Sequence, residues 1–219
     1  MVFGVELLAR SISTRFTSID MLIEAAEKLG RVISFGQRVR QIAADVDVSP
    51  EHALFVNVHS LDLDDEGLYS DNNPLRYVGS KVILEVSERH PIDRVKNLKE
   101  KVSQLRDLGF WIAVDDMGAG YAGLNSFAVL RPDIVKLDMA IVRGIDQDPY
   151  RRTLVGSLVA MCGDFGIPLV AEGVETEGEK TVLVDLGCDY LQGFLCGKPK
   201  AAAIRPTSSP RKPAFPPSS

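Results

Sequence analysis

The stretch AVDDMGAGYAGL, residues 113 to 124, decides how this chain is read. It completes the apolar run Phe110, Trp111, Ile112, Ala113 and Val114, a buried β-strand by its pattern, and ends that strand on two adjacent aspartates, Asp115 and Asp116. A buried strand that finishes in two like charges loses stability unless something neutralises them. Gly118, Gly120 and Gly123 also match the G-x-G-x-x-G spacing of a dinucleotide-binding turn. In such a turn the first glycine directly follows an apolar strand, so that a pyrophosphate can approach the helix N-terminus. Asp115 and Asp116 would put negative charge where the phosphates belong, so that reading is rejected. The glycines are read instead as a flexible loop over a functional site.

Outward from this stretch, strands alternate with amphipathic helices. Strands are expected at residues 2 to 8, 53 to 58, 81 to 86, 110 to 116, 134 to 138, 168 to 173 and 190 to 194. The clearest helix is expected over 93 to 108, where Val95, Leu98, Val102, Leu105 and Leu108 recur at three- and four-residue steps before Gly109. Thr176 with Glu179 has the form of a capping box opening a helix that ends near Gly187. Alternation of this kind implies a parallel sheet, and seven or eight such units favour a (β/α) barrel over an open sheet. The expected domain covers residues 1 to 199. Residues 200 to 219, with Pro206, Pro210, Pro213, Pro216 and Pro217 among serines and basic residues, are expected to be a disordered tail.

In a barrel of this type, functional groups gather at the C-terminal ends of the strands. Here those ends carry Glu6, Asn57, Glu85, Asp115 with Asp116, Lys136, Glu172 and Gln192. Any one of them could be a solvated or capping residue; their recurrence at one end of successive strands is the signal. Five carboxylates and one lysine leave a formal charge of about −4, which cannot persist without counter-charge. Two divalent cations would cancel it. Oxygen donors without a histidine or cysteine cluster favour Mg²⁺ or Mn²⁺ over Zn²⁺. Glu88 and Glu175, each three residues beyond a proposed ligand, are candidate supporting groups. His52, His59 and His90 are isolated and are read as surface or packing residues.

The 219 residues suit one domain with a tail, and 45% hydrophobic with 25% charged residues is ordinary for a globular protein. A net charge of −5 argues against a nucleic-acid polymer as partner. Cys162, Cys188 and Cys196 form no C-x-x-C pair, which fits a reducing cytosol. The start MVFGVELLAR does not read as a signal peptide, and no run approaches membrane-spanning length. The expectation is a cytoplasmic protein with no membrane association.

These residues resemble the EAL-domain cyclic di-GMP phosphodiesterases. GVELLAR at 4 to 10 is similar to the signature Glu-Ala-Leu-x-Arg, with Leu7 in place of alanine. FVNVH at 55 to 59, LEVSE at 84 to 88, VDDMGAGYAGL at 114 to 124, VKLD at 135 to 138, AEGVE at 171 to 175 and LQGFLCGKP at 191 to 199 resemble further blocks of the family in the expected order. The resemblance implies a TIM-like (β/α) barrel, here without the family's first strand and its Gln-Pro-Ile segment. It implies two Mg²⁺ or Mn²⁺ ions held by Glu6, Asn57, Glu85, Asp115, Asp116 and Glu172, with Glu6, Glu85, Asp115 and Lys136 catalytic. Arg10, Leu8, Gln192 and Asp116 would contact the substrate, cyclic di-GMP. Glu88, Asp138, Glu175, Gly118 and Gly120 would support the site and its loop. A homodimer and sensory or GGDEF-type domains are the expected protein partners. Met117, Ala119 and the pair Ala122-Gly123 depart from the family's usual phenylalanine, threonine and serines, and His59 stands for a usual serine. The alternative expectation is therefore an EAL domain that has lost turnover and acts as a cyclic di-GMP receptor or interaction module.

Overall fold

The computed structural model describes residues 1 to 12, 14 to 87, 92, 95 to 118 and 123 to 204. Seven strands, β1 (Gly4–Leu7), β2 (Ala53–Val58), β3 (Val82–Ser87), β4 (Trp111–Met117), β5 (Ile134–Leu137), β6 (Leu169–Ala171) and β7 (Tyr190–Leu191), are hydrogen-bonded in chain order. The pairs β1–β2, β4–β5, β5–β6 and β6–β7 are parallel. Parallel neighbours require crossovers, and helices supply them. They are α1 (Ile19–Lys28), α2 (Val32–Asp45), α3 (Glu66–Tyr69), α4 (Leu98–Asp107), α5 (Gly123–Leu130), α6 (Met139–Val142), α7 (Pro149–Asp164) and α8 (Glu177–Leu186). The parallel α/β order expected from the sequence is the one adopted.

The chain divides into two compact units. The first comprises Met1–Glu85, Asp93–Trp111 and Ala202–Ser219. Here β1 runs beside β2 with Glu6 opposite Phe55, and Leu54, Val56, Leu63, Leu68, Ile83, Leu84 and Leu105 are completely buried. Each such leucine, valine or isoleucine contributes about 1.5–3 kcal/mol by leaving water. Ser18 starts α1 by accepting the Met21 N–H at 3.2 Å. α2 packs so closely that a Cβ on Gly36 would lie 2.1 Å from both carboxylate oxygens of Asp62. That carboxylate belongs to a buried cluster in which Arg40 Nη1 stands 3.4 Å from Asp62 Oδ1 and Arg40 Nη2 bonds Asp65 Oδ2. The helix expected over 93 to 108 begins later, at Leu98, because Asn97 takes a left-handed conformation (φ 52°) that a helix cannot propagate. Residues 93 and 94 lie outside the described residues. Its end follows the expectation. Gly109, at φ 88°, donates to Arg106 O at 2.8 Å and Phe110 N donates to Leu105 O at 3.0 Å, which closes α4 as a Schellman motif. Asp47 N donates to Ala203 O at 2.8 Å, and Ile204 bridges Val46 in antiparallel fashion. The rest of the expected tail, 205 to 219, lies outside the described residues.

The second unit comprises Val86–Ile92 and Ile112–Ala201. Ile112, Val114, Ile134, Val135, Leu137, Val142 and Leu183 form its fully buried centre. Asp148 caps α7 by accepting from Tyr150 N and Arg151 N, with Pro149 in the first turn where its missing N–H costs nothing. Thr176 and Glu179 form the expected capping box of α8, and Gly187 ends that helix at φ 91°. The strand expected over 190 to 194 ends at Leu191. Beyond it Gly193 lies against the turn that follows β6, where a Cβ would meet Val174 O at 2.2 Å.

Candidate functional site

In the first unit the C-terminal ends of three strands bring together Glu6, Asn57 and Glu85. Asn57 Nδ2 donates to Glu6 Oε1 at 3.2 Å and to Glu85 Oε2 at 3.1 Å. Register explains the meeting. Glu6 stands opposite Phe55, and Asn57, two residues further along β2, points to the same side of the strand. Glu85 is fully buried. The neutral amide supplies these two acids with hydrogen bonds and orientation but no positive charge. Arg10 and Leu8, just beyond β1, are exposed.

In the second unit Asp115, Asp116 and Glu172 each present a carboxylate oxygen, and those oxygens lie within 4.8 Å of one another. Adjacent residues of a regular strand point to opposite faces, so two neighbouring aspartates cannot both serve one cluster without a break in the pleat. The break is present. The β4–β5 register shifts between Val114 and Met117, and Asp116 takes φ 58°. A bulge of this kind re-aims a side chain, and aspartate tolerates the left-handed region at a cost of about 1–3 kcal/mol. Ser87 Oγ donates to Asp116 Oδ2 at 2.9 Å and holds the re-aimed carboxylate. Lys136, 1% exposed, extends from β5 so that Nζ lies 2.5 Å from Glu172 Oε1 and 3.2 Å from Asp115 Oδ1. Both contacts are ion pairs. One ammonium against three acids leaves a local formal charge of about −2, a donor set suited to a hard divalent cation.

The supporting residues take defined positions. Asp138 is buried and caps α6, with Oδ1 accepting the Ala140 N–H at 2.6 Å. Glu175 forms a two-point ion pair with Arg143. Gln192 N donates to Ala171 O at 2.8 Å, which places this residue directly after β7. Gly118 has φ 101°, and a Cβ there would come within 2.8 Å of Ile141 Cδ1, so glycine is required for both conformation and space. Glu88, Gly120 and His90 lie outside the described residues. His59 bonds Glu27 Oε1 through Nε2 at 3.0 Å and accepts the Leu61 N–H on Nδ1, a packing and capping role. Burial pushes the Cys162 thiol up to about 11, and burial with Asp189 and Cys162 nearby pushes Cys188 to about 12. Neither is a thiolate nucleophile near neutral pH.

The sequence pattern points to neither Ser87 nor Arg143, and to Glu179 only as half of a capping box. Ser87 ends β3 two residues beyond Glu85, on the same side of the strand, so following that face to the last residue of the strand would have reached it. Arg143 and Glu179 carry no local signal of a site.

The family model for the EAL domain matches residues 1–199. This chain belongs to the EAL domain family. The bifunctional diguanylate cyclase/cyclic di-GMP phosphodiesterase MucR of Pseudomonas aeruginosa is 32% identical over 215 residues, covering 92% of this EAL chain and 31% of MucR. The cyclic di-GMP phosphodiesterase RocR of the same organism is 32% identical over 150 residues, 67% of this chain and 38% of RocR. The chain thus spans well under half the length of these relatives. Among solved structures, the Klebsiella pneumoniae BlrP1 complex with calcium and cyclic di-GMP matches with TM-score 0.73 and 29% identity, over 92% of this chain and 53% of that one. The PaMucR phosphodiesterase complex with c-di-GMP matches with TM-score 0.75 and 28% identity, over 90% and 85%. The fold is therefore that of the EAL (β/α) barrel structures, with the seven parallel strands described above.

Proposed function

We propose that this EAL domain is a metal-dependent phosphodiesterase that hydrolyses cyclic di-GMP to linear pGpG in second-messenger signalling. The observation that carries the reading is the approach of Asp115, Asp116 and Glu172 to within 4.8 Å around the ends of β4 and β6, with buried Lys136 against two of them. All-oxygen donors fit Mg²⁺ or Mn²⁺, and the reading assigns two ions to Glu6, Asn57, Glu85, Asp115, Asp116 and Glu172. When bound, such ions supply Lewis acidity toward a phosphate oxygen and raise the acidity of water.

The residues of the chain do the rest. Asn57 holds Glu6 and Glu85 in fixed orientation through its two N–H groups. Ser87 does the same for Asp116. Lys136 offers a buried positive charge to a phosphoryl group whose negative charge grows as water attacks phosphorus, where a preorganised cation acts without reorganising. The water oxygen bonds to phosphorus, the bond to the ribose O3′ breaks, and that oxygen takes up a proton, which leaves the 5′-phosphate of pGpG. Arg10, Leu8 and Gln192 are assigned to substrate contact, and Glu88, Asp138, Glu175, Gly118 and Gly120 to support. The reading places the protein in the cytoplasm; among the described residues no helix is long and apolar enough to cross a membrane. Sensory or GGDEF-type domains and a second copy of the chain are its proposed protein partners.

Hydrolysis of cyclic di-GMP with Mg²⁺ or Mn²⁺, followed by separation of pGpG, tests the assignment. Glu85→Ala should lower the rate by two orders of magnitude or more while the protein keeps a cooperative melt. Parent-like turnover by that variant would remove Glu85 from the mechanism. Met117, Ala119, Ala122 and Gly123 favour a second reading, in which the domain binds cyclic di-GMP as a receptor or interaction module. Binding without pGpG, at saturating metal, would select it.

A further inference from the structure

Glu172 is the first residue after β6, and the turn that follows it is held by two side chains. Glu172 N donates to Leu137 O at 3.2 Å. Gly173, at φ 70°, lies so close to α6 that a Cβ would come within 2.4 Å of Met139 Cβ. Arg143, at the end of α6, reaches over this turn. Its Nε donates to Gly173 O at 3.0 Å, Nη1 donates to Glu175 Oε2 at 2.7 Å, and Nη2 donates to Glu175 Oε1. The Arg143 carbonyl is itself bonded by Arg151 Nη1. From the opposite side, buried Glu179 accepts Gly144 N at 2.9 Å, Glu175 N at 2.9 Å and Thr176 N at 3.1 Å. Burial alone would push the Glu179 carboxyl up, but these donors outweigh it and hold the group below the usual range, so it stays an acceptor.

The two side chains therefore join residues 143–144 to residues 173–176 in both directions. The joined segments are those that follow Lys136 and Glu172. Asp138, two residues after Lys136, caps the short helix that ends at Arg143. Glu172 precedes the clamped Gly173. The clamped turn thus begins one residue after Glu172, whose Oε1 lies 2.5 Å from Lys136 Nζ.

We propose that Arg143 is a positioning residue: its guanidinium fork on Gly173 O and Glu175 fixes the Glu172 carboxylate against Lys136, and Glu179 completes the clamp. The proposal rests on the phosphodiesterase reading, in which Glu172 is a metal ligand. A guanidinium suits the task because its planar N–H groups reach the peptide carbonyl and both carboxylate oxygens together, whereas an ammonium concentrates its donors on one atom. Without the fork, Glu172 keeps its place in the sequence but loses its fixed direction. Residues that orient a ligand typically change metal affinity by about 10–100-fold.

The test compares the parent, Arg143→Ala and Arg143→Lys. Mn²⁺ affinity is measured by titration calorimetry without nucleotide, and hydrolysis of cyclic di-GMP is measured across Mn²⁺ concentrations. Arg143→Ala should bind Mn²⁺ about 10–100-fold more weakly, with the half-maximal Mn²⁺ concentration rising in parallel and the KM for cyclic di-GMP at saturating Mn²⁺ within about twofold of the parent. Arg143→Lys should recover only part of the affinity. Mn²⁺ affinity of Arg143→Ala within about twofold of the parent would overturn the proposal. If that variant lacks a cooperative melt, Arg143→Gln, which keeps an N–H donor but loses the charge and the fork, is judged by the same two numbers. A parent that neither takes up Mn²⁺ nor makes pGpG refutes the phosphodiesterase reading itself and the proposal with it. A parent that does both while Arg143→Ala matches it refutes the positioning role alone.

Discussion

Replacing Lys136 by methionine isolates the electrostatics of the acidic cluster. The substitution keeps an unbranched chain of similar length in a position that is 1% exposed, and it removes the ammonium that lies 2.5 Å from Glu172 and 3.2 Å from Asp115. Those carboxylates are themselves only 18% and 10% exposed, so solvent screens them weakly. Removing one partner of a buried ion pair costs about 3–5 kcal/mol, because the remaining charge has lost its water and its counter-ion together. For a domain of this size each kcal/mol moves Tm by about 2–4 °C, so metal-free Lys136→Met should melt roughly 6–20 °C below the parent. Scanning calorimetry in the presence of a chelator measures the shift. Repeating the scan with Mn²⁺ should raise Tm more in the variant than in the parent, since a cation bound to the same acids restores charge that the variant lacks. A metal-free melt within about 2 °C of the parent would refute the argument, because Lys136 would then not be the counter-charge of this cluster.

Two further outcomes rest on residues away from these acids. Burial raises the Asp62 carboxyl from 3.8 to about 6, against the opposing effect of Arg40 and with a further push from Asp65. The folded state therefore holds a proton that the unfolded chain has released, so this group's contribution is fully present below about pH 4 and is lost as pH rises through 6. Urea denaturation of the parent and Asp62→Asn at pH 4.5 and 7 should show about 2 kcal/mol less decline with rising pH in the variant, and identical slopes would exclude the effect. Thr176→Ala should remove the side-chain half of the α8 capping box and lower stability by about 1 kcal/mol, read as a shift in urea midpoint at constant m-value. An unchanged midpoint would mean that Glu179 alone secures that helix start.

Local chemistry made much of this chain legible. A capping box needs only Thr176 and Glu179 at the right spacing, and it forms as expected. Gly109 and Gly187 end their helices because glycine accepts positive φ wherever it stands. The order of parallel strands follows from alternating periodicities, since parallel neighbours need helical crossovers. Polar residues at strand ends pointed to the same acids that the structure groups as Glu6 with Glu85 and as Asp115, Asp116 and Glu172. Element boundaries were less legible. Asn97 delays α4 through a backbone conformation that periodicity does not encode, and β7 stops at Leu191.

By itself, then, the sequence determined which polar residues would fall near the C-terminal ends of the strands, because strand and helix periodicities and capping are properties of neighbouring residues. The tertiary structure alone decided how those residues meet. The bulge that turns Asp116 beside Asp115 depends on the register of β5. The burial of Lys136 against Glu172 depends on two strands separated by more than thirty residues of chain. The Arg143 fork depends on the turn after β6 coming to rest against α6. Each is a contact between distant segments, whose free energy arises only when packing brings them together.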